Sequence, residues 1–449
     1  MQQILIGGAW LDPGEGTVRE IHNPATLRPL ASVRDCRATD VARAVAAARS
    51  ALPQWQALAP AARAALLADV AVRMRALKPE TAALATRENG VPLCESLDCI
   101  EAAALMFECW SAAADGGERA QPAATGVLLP AHFTLLALGA AAAPALTLGA
   151  TLVVQPPAGN PLSSLALARA FAGLPAGVVN AVTGDAVTAR ALAEHVACAR
   201  FEESAAADSA AADAFIVCRD ADLDVAVPGI AWERLRHGGQ LFASARHIFV
   251  ERPIAEEFVE RMHQCVGFLD VDDPAKRPTD LGPLISLEAA RQVEDQVGRV
   301  LRGGARLILG GRRFRPSGLA GHFFQPTLLV LREGAAVPEA IAGPVITISS
   351  VRDPAEGWRL AREAGRGSGA SIYTRDVEAA SALARASVGT LRINDPALPG
   401  AAGPFSGIRH PAIRAAFAPS RQAHAVTIEA AATLQRKPWW FPYADRPLG

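Results

Sequence analysis

Between residues 40 and 77 apolar side chains recur at spacings of three and four, first in DVARAVAAARSALPQW and again in PAARAALLADVAVRMRAL. That period predicts two amphipathic helices, each with one face on a core. Asp40 and Pro60 supply their start signals. From residue 126 to 204 the pattern changes: short apolar runs (GVLLP, TLVVQP, GVVNAVTG, CARFEES) alternate with an Ala-rich stretch, SSLALARAFAG and AVTARALAEH. Strands alternating with helices of this length predict a parallel, doubly wound sheet. A second alternation follows, with strands expected at His247–Glu251, 305–309, Val345–Val351 and 389–394, and helices at 255–266, 287–303, 356–365 and 377–386. The expected fold class is α/β, two doubly wound domains in series.

The end of the chain breaks the pattern. In RKPWWFPYADRPLG, Trp439, Trp440, Phe441 and Tyr443 crowd into five residues of a chain that is only 5% aromatic. Such a cluster either docks on its own domain or, left exposed, marks a partner surface. The apolar stretch 134–154 is long enough to span a bilayer. Pro144 and Gly149 divide it into a helix and a strand, so no membrane span is expected.

A length of 449 residues allows two or three ordinary domains with large cores. The net charge of -1, with 20% charged residues, provides no basic field for a nucleic acid. Seven cysteines, none in a CxxC pair, fit a reducing cytosol without a zinc site, so the expected location is cytoplasmic and no metal is expected. The N-terminus lacks a basic segment followed by an apolar one and reads as a strand and turn.

About a dozen segments then occur in one order across nearly the whole chain. They include HNPATLRPLASV, QW (Gln54, Trp55), GVPL, APALTLGATLVVQP, GLPAGVVNAVTG, FIVCRDADLDVAV, GQ (Gly239, Gln240), LGPLIS, HFFQPTLL, VGTLRIN and PFSGIR. In this order they resemble the aldehyde dehydrogenase superfamily from end to end. The resemblance implies a Rossmann-like domain at 1–228, with a shortened oligomerisation hairpin near 110–130. It implies a catalytic-type α/β domain at 229–415, and an oligomerisation strand and aromatic tail at 416–449.

The same resemblance implies oxidation of an aldehyde by a cysteine thiolate, with hydride passing to NAD(P) and a glutamate acting as base. The motif positions depart from it. Where the family has the cysteine of GQxC, this chain has Phe242, which has no lone pair. Ser244 is the nearest hydroxyl, with His237 and His247 nearby in sequence, but it sits in no serine-nucleophile motif. The asparagine of PWNFP corresponds to His132, and the glutamate of ELGGK to Asp208, after a stretch that has been cut short.

The pyrophosphate turn carries Glu202 and Glu203, where like charges repel at close range. The ribose-holding lysine and glutamate become Gln155 and Ala158. The glutamate and phenylalanine of ExFGP become Ala340 and Ala342, with Glu339 one position out of register. On these losses the expectation is a non-catalytic subunit with no cofactor that assembles with an active relative. Its contacts would lie on the late strand AVTIEAA, which opens on Ala425 and closes on Ala431, and on Trp439, Trp440, Phe441 and Tyr443. The alternatives are a divergent NAD(P)-dependent aldehyde oxidoreductase with a rebuilt site, and a small-molecule sensor using the vacated tunnel beside Phe242 and His132.

Overall fold

The computed structural model describes residues 2–112, 123–201, 214–241, 247–365, 369–380, 390–394, 408–409, 426–428, 437 and 439–445. In the first half the strands are β1 (Ile4–Ile6), β2 (Ala9–Leu11), β3 (Val18–His22), β4 (Pro29–Arg34), β5 (Ala124–Leu128), β6 (Thr151–Gln155), β7 (Val179–Ala181) and β8 (Cys198–Phe201). The helices among them are α1 (Ala38–Ala57), α2 (Pro60–Asn89), α3 (Leu93–Ala112), α4 (Thr134–Thr147), α5 (Leu162–Ala168) and α6 (Ala186–His195). The second half carries β9 (Ala214–Val217), β10 (His247–Glu251), β11 (Arg306–Leu309), β12 (Arg313–Phe314), β13 (Phe323–Phe324), β14 (Thr327–Val330), β15 (Val345–Val351), β16 (Gly369–Tyr373), β17 (Thr390–Ile393), β18 (Ile408–Arg409) and β19 (Val426–Ile428). Its helices are α7 (Leu223–Leu235), α8 (Arg252–Gly267), α9 (Leu287–Arg302) and α10 (Pro354–Gly365).

Two sheets result. The first runs β18-β8-β5-β6-β7-β1-β2 and is parallel from β8 to β7. The second runs β11-β14-β15-β10-β9-β16-β17-β19 and is parallel from β14 to β19. Parallel strands covered on both faces read as continuous apolar runs, and β5, β6, β9 and β10 are buried or nearly so along their length. The 134–154 stretch forms α4, every residue of which is buried, followed by β6. No helix among the described residues is long and apolar enough to cross a membrane.

Two boundaries move. Strand β9 lies between β10 and β16 in the second sheet, so the change of sheet falls between residues 201 and 214 rather than at 228. The second half of the expected hairpin at 110–130 is β5, at the heart of the first sheet; residues 113–122 lie outside the described residues.

Helices α2, α3 and α4 pack against one another beside the first sheet, around Leu67, Met74, Ile100 and Phe107. Trp55 is buried among them and donates from Nε1 to the carbonyl of Leu146 at 3.2 Å. Glu88, near the end of α2, accepts hydrogen bonds from Leu162 N, Ser163 N and Ser163 Oγ at 2.5, 2.8 and 2.6 Å. Those bonds satisfy donors that the start of α5 cannot pair internally. Burial raises the Glu88 carboxyl to about 7 against that hydrogen bonding.

Candidate active site

The candidate site lies where α3, the start of α4 and the end of α7 meet. After α7 the chain enters a turn in which His237, Gly238 and Gly239 take φ of 53°, 63° and 66°. Left-handed backbone is strained for a side chain such as histidine and persists only where the surroundings enforce it. Here they do. Arg234 donates to the carbonyls of Gly239 at 3.1 Å and Ile341 at 2.7 Å. Gln240 donates from Nε2 to the His237 carbonyl at 3.1 Å, and its Oε1 accepts from Ile285 N at 3.0 Å. The GQ and LGPLIS segments are thus hydrogen-bonded to each other. Gly239 is obligatory, since a Cβ there would stand 2.0 Å from the carbonyl oxygen of Gly343.

This turn presents His237 to α3. Its backbone N donates to Glu95 Oε2 at 2.7 Å, and its Nε2 lies 3.4 Å from the same oxygen and 3.6 Å from Cys99 Sγ. The imidazole leans on Phe133, itself at φ 58°, with ring centroids 4.1 Å apart. Glu95 Oε1 accepts from the Tyr443 hydroxyl at 2.7 Å, and that hydroxyl accepts from Trp232 Nε1 at 3.1 Å. Burial sets the protonation. It raises Glu95 to about 7, drives the Cys99 thiol and the Tyr443 phenol well up, and drives His237 well down. The charges of Arg236 and His132 lower His237 further. Near neutral pH Cys99 is therefore a thiol facing a neutral imidazole.

Arg236, only 8% exposed, lies across the rings of Trp232 and Phe133, its guanidinium carbon 4.5 and 5.4 Å from their centroids. It lines a 310 Å³ cavity with the carboxylates Glu95, Asp98 and Glu101 and with Cys99, Trp232, His237 and Trp439. Behind Cys99, Phe133 and His237 lies a smaller cavity of 30 Å³ that reaches His132. The wall between the two spaces is formed by Cys99, Phe133 and His237.

The positions read from motifs are scattered. His132 lines the small cavity. Gln155 ends β6 with its Nε2 bound to the carbonyls of Gly184 and Asp185 at 3.0 and 2.9 Å, while its Oε1 is buried without a donor. Ala158 and Ala340 are half-buried and Ala342 is exposed, none offering a polar side chain. Phe242, Ser244, Asp208, Glu202 and Glu203 lie outside the described residues. His247 is buried in β10. The sequence motifs do not mark Cys99, Glu95 or Arg236, and they mark Tyr443 only as part of the aromatic tail, because the contacts Cys99–His237, Glu95–Tyr443 and Arg236–Phe133 join residues far apart in sequence.

The tail corrects an expectation. Trp440, Phe441 and Tyr443 are buried in the core of the second half, and Tyr443 N donates to Asp280 Oδ1 at 2.6 Å. Their apolar surface is already covered by their own chain, so it is no partner surface. Of the late strand, the described part is β19, which pairs with β17 at the end of the second sheet.

Residues 10–202 and 196–420 match the family model described as the aldehyde dehydrogenase family. The chain is 32% identical over 452 residues to the succinate-semialdehyde dehydrogenase [NADP(+)] GabD of Escherichia coli (strain K12), covering 91% of this chain and 92% of that protein. It is 29% identical over 449 residues to a glutarate-semialdehyde dehydrogenase of Pseudomonas putida, covering 91% and 92%. Among solved structures it resembles an E. coli NADP dependent enzyme, with a TM-score of 0.79, 29% identity and coverage of 89% and 91%. It also resembles PnpE from Pseudomonas sp. WBC-3, with a TM-score of 0.81, 25% identity and coverage of 91% and 92%. The chain belongs to the aldehyde dehydrogenase family.

These similarities overturn the non-catalytic reading. Over nearly its whole length the chain is similar to proteins named as semialdehyde dehydrogenases, one of them named for NADP(+). The expectation of no cofactor falls with it. Both expectations weighed nine motif positions, four of which lie outside the described residues, above the similarity that runs over 91% of the chain.

Proposed function

We propose that this protein is a divergent NAD(P)-dependent aldehyde oxidoreductase with a rebuilt site, acting on a short aldehyde that carries a carboxylate at its far end. The observation that carries this reading is the similarity over 91% of the chain to two proteins named as semialdehyde dehydrogenases, with Arg236, held over two aromatic faces beside Glu95, Asp98 and Glu101 in the wall of the 310 Å³ cavity, as the cation offered to the carboxylate. A guanidinium stays charged at any working pH and binds a carboxylate through two parallel hydrogen bonds. The names of the E. coli and P. putida relatives support the substrate class, since both semialdehydes end in a carboxylate.

The fold offers the cofactor a place. In the first sheet the chain order reverses between β5 and β8, and ligands of doubly wound sheets bind at such a switch point, beyond the carboxyl ends of the strands. Gln155 Oε1, a buried acceptor without a donor at the end of β6, suits a ribose hydroxyl. When bound, the nicotinamide supplies a two-electron acceptor for hydride. With alanines at 158, 340 and 342, side-chain hydrogen bonds to the riboses are few, which favours weak nucleotide binding.

Arg236 orients the substrate, while the aromatic rings of Trp232 and Phe133 hold the guanidinium and exclude water from its faces. Turnover of succinate and glutarate semialdehydes should exceed that of butanal and pentanal. Arg236→Leu should abolish the difference by lowering kcat/KM for the charged substrates about 10- to 100-fold, the worth of one charged hydrogen-bonded contact. Equal use of charged and uncharged aldehydes by the unaltered protein would refute the assignment. For self-association we infer β19, the last strand of the second sheet among the described residues, whose outer ladder groups can pair with a second copy. Thr427→Pro should then lower the mass in solution.

A further inference from the structure

We propose that Cys99 is the nucleophile of this protein and that His237 is the base that takes its proton. The inference rests on the aldehyde-oxidation reading above and adds to it the group that attacks the aldehyde. Phe242 occupies the family's cysteine position and has no electron pair to offer. Cys99 has what that position lacks. Its Sγ lies 3.6 Å from His237 Nε2, and both side chains line the cavity that holds Arg236. The cation that takes a carboxylate and the base that activates the thiol are consecutive residues.

His237 is also fixed as a base must be. Its backbone is locked in a left-handed turn, its N–H is held by Glu95, and its ring is backed by Phe133. Strained backbone of this kind clusters at sites where geometry is imposed for function. By contrast Cys36, also buried, meets Thr183 Oγ1 at 3.6 Å, a contact that supplies no base.

The pair facing each other is thiol and neutral imidazole, so no resting thiolate is needed. As sulfur bonds to the aldehyde carbon, the thiol proton passes to His237 Nε2 and the C=O π electrons move to oxygen, giving a thiohemiacetal on Cys99. Oxidation of that adduct to a thioester needs a two-electron acceptor for the hydride on the same carbon, which a bound nicotinamide would supply, while Cys99 holds the acyl group. Water adds to the thioester and the C–S bond breaks. One proton of the water passes to solvent, the carboxylic acid departs and ionises, and the sulfur recovers the proton from His237. The balance is one aldehyde, one oxidised nicotinamide and one water converted to one carboxylate, one reduced nicotinamide and two protons.

A cofactor-free probe separates this inference from the reading beneath it. The p-nitrophenyl half-ester of succinate carries a carboxylate for Arg236 and an activated acyl group for the nucleophile. Incubated with the full chain, quenched in acid and mapped by peptide mass, it should place one succinyl group on Cys99. Cys99→Ala should lose the label while keeping the unaltered melting temperature, and Cys36→Ala should keep the label. His237→Asn, chosen because asparagine tolerates left-handed backbone, should slow labelling roughly 100-fold, the lower end of what a general base contributes. A label on any other residue, or undiminished labelling of Cys99→Ala, overturns the proposal. A label on Cys99 with no oxidation of any semialdehyde keeps the nucleophile and refutes the dehydrogenase reading alone.

Discussion

Tyr443 ties the C-terminal tail to the candidate site, and removing its hydroxyl tests that link. In Tyr443→Phe the ring still fills its place in the core, but two hydrogen bonds go: the donation to Glu95 Oε1 at 2.7 Å and the acceptance from Trp232 Nε1 at 3.1 Å. A buried polar group left without its partner costs about 1–3 kcal/mol, so the indole N–H and the carboxyl together make the loss about 2–6 kcal/mol. For 449 residues, an unfolding entropy of about 2 cal/mol/K per residue gives roughly 1 kcal/mol/K. The melting temperature should therefore fall by about 2–6 °C, measured by scanning calorimetry at fixed pH. Glu95 also holds the backbone of His237, so a drop in kcat should accompany the thermal shift. In a double-mutant cycle, Glu95→Gln and Tyr443→Phe should be non-additive. An unchanged melting temperature, or strict additivity, would show that the tail hydroxyl is not coupled to α3.

Three further outcomes follow from the same geometry. Gly239→Ala must take φ 66° with its Cβ 2.0 Å from the Gly343 oxygen, so a loss above about 3 kcal/mol is expected by denaturant titration. Deleting residues 437–449 should lower the melting temperature while leaving the mass in solution unchanged, because Trp440, Phe441 and Tyr443 are buried within their own chain. Glu88 binds its proton more tightly in the folded chain, with its carboxyl raised from 4.5 to about 7. Its contribution to stability is thus complete below about pH 4.5 and lost as pH rises through 7. The decline in melting temperature across that window should be shallower in Glu88→Gln, and an identical slope would rule out the assignment.

The sequence showed most of the scaffold where the signal was local. His247–Glu251 and Val345–Val351 were read residue for residue as strands, because runs buried on both faces declare themselves in composition. Helix α2 was expected to end near residue 77 but runs through Pro79 to Asn89, where Ala82, Ala85 and Thr86 pack inward in a way a local proline rule does not foresee. Strand β9 joins the second sheet although it lies within 1–228, because its partners β10 and β16 lie far along the chain. The site failed to appear for the same reason. Cys99 was one of seven unpaired cysteines until the fold brought His237 beside it across 138 positions, and Arg236 was one arginine among many until Trp232 and Phe133 framed it. The motif positions that were legible, such as Phe242 and Asp208, recorded what had been lost and nothing of what replaced it.

The measurement that bears most directly on the central claim is the stoichiometry of oxidation. The purified full chain is incubated with succinate or glutarate semialdehyde and either NAD⁺ or NADP⁺, and both products are quantified. The account predicts one dicarboxylate formed per reduced nicotinamide with at least one nucleotide, and no product from either reagent alone. Absence of both products, with a melting temperature indifferent to both nucleotides, would contradict it.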